Sequence, residues 1–158
     1  MSREESVFAE DAKRLRVETD QPIKWALPGP MTMIDTLYDD HYRSREQLAW
    51  EFATILNQEA KDLQAAGVDI IQIDEPAFNV FFDELKDWGI AALERATEGL
   101  SCRTAVHICY GYGIKANTDW KATLGPNGAS TKSRSHYCNN HRSTSCPWRA
   151  TTRGFLSR

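Results

Sequence analysis

The chain has 158 residues, which is enough for one ordinary domain. Its 41% hydrophobic and 26% charged residues, with five tryptophans, are typical of a globular protein and exclude a disordered or fibrous one. No run of about 18 apolar residues and no charged-then-apolar start is present, so the sequence predicts neither a membrane span nor a signal peptide. We therefore expect a cytoplasmic location, and reduced thiols or metal ligands at the four cysteines.

The net charge of −3 is unevenly distributed along the chain. Residues 1–125 carry all 22 acidic residues against 13 Lys or Arg, for a net charge of −9, whereas residues 126–158 carry six Lys or Arg and no acidic residue. The second segment also lacks a helical or strand period and has few apolar residues. We expect a boundary after Gly125, followed by a basic, disordered tail.

The first half of the chain shows two helical patterns around one short strand. A helical period over residues 5–18 is followed by an apolar run over residues 23–27, which ends at Pro28-Gly29-Pro30. Ser44 can cap a long amphipathic helix, and Gly67 lies where a C-terminal glycine belongs. This order predicts a helix, a strand and a second, longer helix.

The second half continues the alternation. The isoleucine-rich run VDIIQIDEP predicts a buried parallel strand, an amphipathic pattern from about residue 82 to 98 predicts a helix, and residues 103–109 predict another strand. Helices and strands alternating in this way are typical of βα units and a parallel sheet. The predicted fold class is α/β, with about three βα units.

Polar residues close two of these strands. Asp74 and Glu75 end one, and His107 and Cys109 end the next, where ligands bind in parallel α/β folds. His107 and Cys109 share one face of a strand, because they are two residues apart, and together provide two of the ligands of a tetrahedral zinc site. Alternation directs Glu75 to the face opposite Asp74. The same residues also fit a helix cap, a salt bridge, or a small buried apolar side chain at Cys109.

Three segments, WALPGPMTM, IIQIDEPAF and VHICYGYG, resemble the catalytic barrel of cobalamin-independent methionine synthases, especially the short single-barrel members. The resemblance covers residues 5–125 and implies a truncated, partial (β/α)8 TIM-type barrel. It implies a methyltransferase of methionine biosynthesis, which transfers a methyl group to the zinc-bound thiolate of homocysteine. By this resemblance Asp74 binds the substrate amino group, with Glu75 as a second substrate-binding candidate, and His107 and Cys109 are ligands of Zn²⁺.

The resemblance also implies features that this chain does not show. Relatives complete the zinc site with a glutamate and a further cysteine, whereas residues 126–158 contain no glutamate. We therefore treat residues 126–158 as non-family sequence and expect a fragment whose own activity is in question. Thr36 stands where full-length relatives stack a folate on a tryptophan. The methyl donor is accordingly either a methyl-folate or a methylated corrinoid protein.

Two other functions fit parts of the sequence. One is a uroporphyrinogen-decarboxylase-like barrel, which would need no zinc. The other is a non-catalytic binding protein with a basic, RNA-binding tail, in which Cys138, His141 and Cys146 have a spacing similar to part of a zinc knuckle. Nucleic acid is not the expected partner, and no membrane partner is expected.

Overall fold

The computed structural model describes residues 2–108, 119 and 122, and the backbone of residues 149–150 and 155–157. Within these ranges, no helix is both long enough and apolar enough to cross a membrane. The helices are α1 (Ala9–Glu18), α2 (Pro30–Asp35), α3 (Arg45–Ala65), α4 (Ala77–Val80), α5 (Phe82–Leu85) and α6 (Gly89–Thr97). The strands are β1 (Lys24–Pro28), β2 (Ile70–Asp74), β3 (Arg103–His107), β4 (Arg149–Ala150) and β5 (Phe155–Ser157).

These strands form one sheet in the order β1-β2-β3-β5-β4. The first three are parallel, and their last residues, Pro28, Asp74 and His107, are in register. The β3–β5 and β5–β4 pairs are antiparallel. The predicted α/β class with parallel strands is confirmed for β1 to β3, while closure of a barrel stays a prediction.

One face of the parallel sheet is covered by helices. Ile71, Ile73 and Val106 are fully buried and belong to a core with apolar residues of α1, α3 and α6. Burying each such side chain contributes roughly 1.5–3 kcal/mol. Strand alternation places the other residues of β2 on the second face, where Lys24 and Pro28 of β1 are exposed. The helices therefore hold the sheet from one side.

The long helix agrees with its sequence signals. α3 begins after Ser44, whose hydroxyl accepts a hydrogen bond from the Gln47 amide at 3.3 Å. Gly67 follows the helix with a φ of 97°, which a residue with a Cβ rarely adopts. α1 is shorter than its pattern because it begins only at Ala9, and of its predicted face Ala12 is fully buried while Leu15 is 44% exposed.

The single helix predicted from about residue 82 to 98 is wrong. Residues 86–88 separate α5 from α6, so the apolar period does not correspond to one continuous helix. Gly89 starts α6 in a position where a Cβ would lie 2.6 Å from the Met31 sulfur. Gly89 therefore leaves room for the Met31 side chain of α2, a short helix that the Pro28-Gly29-Pro30 turn did not reveal.

Five residues of the predicted tail form two short strands. Arg149–Ala150 and Phe155–Ser157 form β4 and β5, and β5 pairs with β3 through Ala105↔Ser157, Val106↔Leu156 and His107↔Phe155. Without β5, the outer edge of β3 would present unpaired backbone groups, and backbone pairing does not depend on an apolar period in the added strand. The other residues of the predicted tail lie outside the described ranges.

Candidate functional site

The carboxyl ends of the three parallel strands meet at one edge of the sheet. Besides the register of Pro28, Asp74 and His107, two backbone hydrogen bonds join the segments that follow the strands. The Gly29 amide donates to the Asp74 carbonyl at 2.7 Å, and the Glu75 amide donates to the His107 carbonyl at 2.9 Å. The residues singled out at separate strand ends are thus linked into one structural unit.

Asp74 and His107, 33 positions apart in the chain, come together at this edge. The Nδ1 atom of His107 lies 3.4 Å from Oδ1 of Asp74. Their side chains are 34% and 40% exposed, respectively, so both can contact a ligand. The structure therefore brings together the predicted substrate-binding carboxylate and one predicted zinc ligand.

Two further polar residues, which sequence reasoning missed, join the pair. The side chain of Gln72 donates a hydrogen bond from Nε2 to Oδ1 of Asp74 at 2.6 Å. Its Oε1 accepts one from the Lys24 ammonium at 3.0 Å. The signal available in the sequence was a glutamine inside an isoleucine run, two residues before Asp74 and therefore on the same face.

Glu75 is placed differently from Asp74, as strand alternation predicts. Its side chain is fully buried, and its carboxyl accepts hydrogen bonds from the Met31 amide at 3.1 Å and from the Thr32 hydroxyl. Burial raises the pKa of this carboxyl to about 7, against the opposing effect of these hydrogen bonds. With no exposed atom, Glu75 does not line the ligand-accessible edge beside Asp74.

Gly29 provides the space that Glu75 occupies. A Cβ on Gly29 would lie 1.9 Å from Oε2 of Glu75 and 2.5 Å from its Cδ. The φ of Gly29 is −76°, an ordinary value, so it is the close approach and not the backbone conformation that requires glycine. The Pro28-Gly29-Pro30 segment is thus shaped to receive the buried carboxyl.

The zinc prediction can be examined at His107 only. Cys109 lies outside the described residues, as do Cys138 and Cys146. Among the residues that the structure describes, no group of three His, Cys, Asp or Glu side chains is arranged to hold a metal ion. His107 itself fits a ligand, because its imidazole is partly exposed at a strand end with a carboxylate beside Nδ1.

Cys102 lies at the opposite end of β3 from His107. It is a free cysteine, and burial raises the pKa of its thiol, which disfavours the thiolate that a metal requires. It lies five positions before His107 along the chain, a distance of roughly 16 Å in an extended strand. Cys102 is therefore a matched control for the predicted role of Cys109.

Comparison with known proteins gives a consistent result. The family model described as "Cobalamin-independent synthase, Catalytic domain" matches residues 1–112. The methionine synthase of Saccharolobus solfataricus is 38% identical over 89 residues, which are 56% of this chain and 26% of that protein. The methionine synthase of Sulfurisphaera tokodaii is 35% identical over 95 residues, or 60% of this chain and 28% of that protein.

A solved structure is also similar. It is a B12-independent methionine synthase from Shewanella sp. W3-18-1 in complex with selenomethionine, 83% identical, with a TM-score of 0.74 over 78% of this chain and 36% of that one. The match to the two curated methionine synthases spans about a quarter of the length of each. Because the family model covers more than half of its residues, the chain belongs to the cobalamin-independent methionine synthase catalytic-domain family.

Proposed function

We propose that this chain carries part of the substrate- and zinc-binding end of a methionine synthase, and that the intact enzyme transfers a methyl group to the sulfur of homocysteine. The observation that carries the proposal is the register of Asp74 with His107, which places their side chains 3.4 Å apart at the carboxyl ends of parallel strands. Ligands bind at this end in parallel α/β folds. Family membership favours this function over the decarboxylase alternative.

Asp74 is the residue that we assign to the substrate ammonium group. Its carboxylate is partly exposed at the strand end and is held by the amide of Gln72. A carboxylate that is already oriented loses little freedom when it accepts a charged donor. Glu75, which is fully buried, is assigned instead to holding the start of α2.

His107 and Cys109 are the residues that would hold zinc. The metal would keep the substrate thiol deprotonated at neutral pH, which makes its sulfur nucleophilic. His107 contributes a neutral imidazole, and its neighbour Asp74 receives the substrate ammonium. The methyl donor in this proposal is a methyl-folate or a methylated corrinoid protein, and the reaction takes place in the cytoplasm.

The first test is zinc stoichiometry of the purified chain. We expect one tightly held zinc per chain, lost in His107→Ala and in Cys109→Ala. The matched controls are Cys102→Ala, at the far end of β3, and His41→Ala, on an exposed loop, and both should retain the metal. A folded wild-type chain without zinc, or loss of zinc in the controls alone, would contradict the assignment of these ligands.

The second test concerns the substrate. Homocysteine should bind the zinc-loaded chain about 10-fold more tightly than 4-mercaptobutanoate, which lacks the amino group, because a charged hydrogen bond contributes on the order of 1–2 kcal/mol at a partly exposed site. Asp74→Asn should abolish this discrimination while retaining zinc. Calorimetric titration of wild type and variant with each of the two thiols measures this discrimination. Equal discrimination by the two proteins would reject Asp74 as the ammonium site.

A further inference from the structure

Four polar side chains form a continuous row on the face of the sheet opposite the one that carries Ile71, Ile73 and Val106. Lys24 donates to Oε1 of Gln72 at 3.0 Å, Nε2 of Gln72 donates to Oδ1 of Asp74 at 2.6 Å, and this oxygen lies 3.4 Å from Nδ1 of His107. The row crosses from β1 through β2 to β3. It ends at the imidazole that the proposed function assigns to zinc.

Gln72 is the buried member of this row, at 6% exposure. A buried amide is costly unless its oxygen and nitrogen find partners, and an amide can be placed in two orientations that exchange these atoms. The ammonium of Lys24 can only donate a hydrogen bond, so it selects the orientation in which Oε1 of Gln72 faces it. Nε2 is consequently directed at Asp74.

The orientation of Gln72 has a consequence at His107. The side-chain N–H of Gln72 donates to Oδ1 of Asp74, and an ionised carboxylate oxygen only accepts hydrogen bonds. A neutral imidazole facing this oxygen is favoured with its proton on Nδ1, because the lone pair of an unprotonated Nδ1 would face a negative charge. The distance of 3.4 Å is longer than a normal hydrogen bond, but this electrostatic preference persists at that separation.

We propose that Lys24, Gln72 and Asp74 are positioning residues that hold His107 in the tautomer with its proton on Nδ1 and its lone pair on Nε2. The inference rests on the proposed function only in naming zinc as the cation that Nε2 binds. Metal-bound histidines commonly donate their second ring N–H to a carboxylate, which fixes the ring and raises its basicity as a ligand. Asp74 therefore has two roles, one toward the substrate and one toward His107.

The tautomer can be measured without metal or substrate. Two-bond ¹H–¹⁵N correlation spectra of the ¹⁵N-labelled full chain, recorded at about pH 8.5, distinguish Nδ1–H from Nε2–H. His107→Gln identifies the His107 signals among the four histidines. We expect His107 of the wild type to be mainly protonated on Nδ1.

Variants separate the members of the row. Asp74→Ala and Gln72→Leu should each shift the His107 population several-fold toward Nε2–H, and Lys24→Met should shift it less. Asp74→Asn should preserve the wild-type tautomer, because Gln72 holds the amide oxygen of the asparagine in the same place. Arg103→Met is the matched control: alternation puts Arg103 on the same face of β3, but at the end remote from His107, so no shift is expected.

Zinc affinity provides the second readout. Asp74→Ala and Gln72→Leu should weaken zinc binding about 10-fold, the lower limit for losing such a support, while Arg103→Met leaves it unchanged. The inference would be overturned, even if zinc binds, by a His107 that is mainly protonated on Nε2 in the folded wild type. It would also be overturned by a His107 tautomer that is unchanged in folded Asp74→Ala. The expected tautomer in a chain that binds no zinc would support the inference and reject the proposed zinc function.

Discussion

At Glu75, one buried carboxyl joins the end of β2 to the start of α2. Its hydrogen bonds to the Met31 amide and the Thr32 hydroxyl cross between segments more than 40 residues apart in the chain. Burial raises the pKa of this group to about 7 from an ordinary value of 4.5. The carboxyl is therefore expected to be largely protonated in the folded protein below neutral pH.

This pKa makes the stability contributed by Glu75 depend on pH. The pKa of Glu75 is higher in the folded protein than in the unfolded chain. Its contribution to the free energy of unfolding is therefore complete below about pH 4.5 and is lost as pH rises through about 7. Between pH 5 and 8 the free energy of unfolding of the wild type should fall by about 2–3 kcal/mol relative to Glu75→Gln, which is neutral throughout. Urea unfolding at both pH values measures this, and a difference independent of pH would contradict the buried, protonated carboxyl.

The space around Glu75 leads to a second prediction. Gly29→Ala places a Cβ 1.9 Å from the buried Oε2, and overpacking of this kind costs about 1–3 kcal/mol. In the double variant with Glu75→Ala the clash disappears, so the two costs should not add. The free energies of unfolding of the wild type, the two single variants and the double variant form a double-mutant cycle that measures this. Strict additivity would show that Gly29 and Glu75 do not interact.

At the scale of elements, one carboxylate of α3 holds the segment that precedes α1. Glu59 of α3 is 4% exposed and accepts hydrogen bonds from the Ser6 hydroxyl at 2.9 Å and from the Val7 and Phe8 amides at 3.1 and 2.9 Å. Arg3 forms an ion pair with the same carboxylate. These contacts provide partners for backbone donors just before α1, which a helix N-terminus otherwise leaves unpaired.

Removing this carboxylate should detach the segment before α1. Glu59→Ala removes the acceptor of several partly buried donors and should lower the free energy of unfolding by about 2–3 kcal/mol. The Val7 and Phe8 amides should also exchange faster with deuterium. Asp62→Ala is the control, since Asp62 pairs with the same arginine but is 44% exposed, and should cost less than about 1 kcal/mol. Equal losses in both variants would contradict the central role of Glu59.

Sequence patterns predicted some elements better than others, for a physical reason. The bounds of α3 follow from signals within the helix itself, the Ser44 cap and the glycine at position 67. The break between α5 and α6 does not follow from the apolar period, and Gly89, which starts α6, lies close to Met31 on a different helix. A helical period records only which side of a segment is apolar, and it contains no information about such a neighbour.

At the scale of the whole molecule, the sheet is built of a parallel part and an antiparallel extension. β5 covers the edge of β3, which would otherwise present its backbone groups to solvent or to another chain. The pairing joins residues 105–107 to residues 155–157, about 50 positions away. The stability of β3, and with it the placement of His107, is therefore coupled to this pairing.

Disrupting β5 should expose that edge. Replacing both Leu156 and Ser157 with proline removes two backbone donors, whereas replacing both with alanine keeps them. We expect faster amide exchange in β3 and a sedimentation coefficient that rises with concentration for the proline variant alone. If the proline and alanine variants behave alike, the β3–β5 pairing does not protect the edge.

The sequence by itself determined the local features of this protein: alternating helices and strands, the residues that close each strand, and the opposite faces of Asp74 and Glu75. These features follow from side-chain period, caps and turns, which involve neighbours a few residues apart. The tertiary structure alone decided that Asp74 and His107 meet, that Lys24 reaches Gln72, and that Gly29 makes room for Glu75. Such contacts depend on strand register and packing between segments more than 30 residues apart, which no local pattern records.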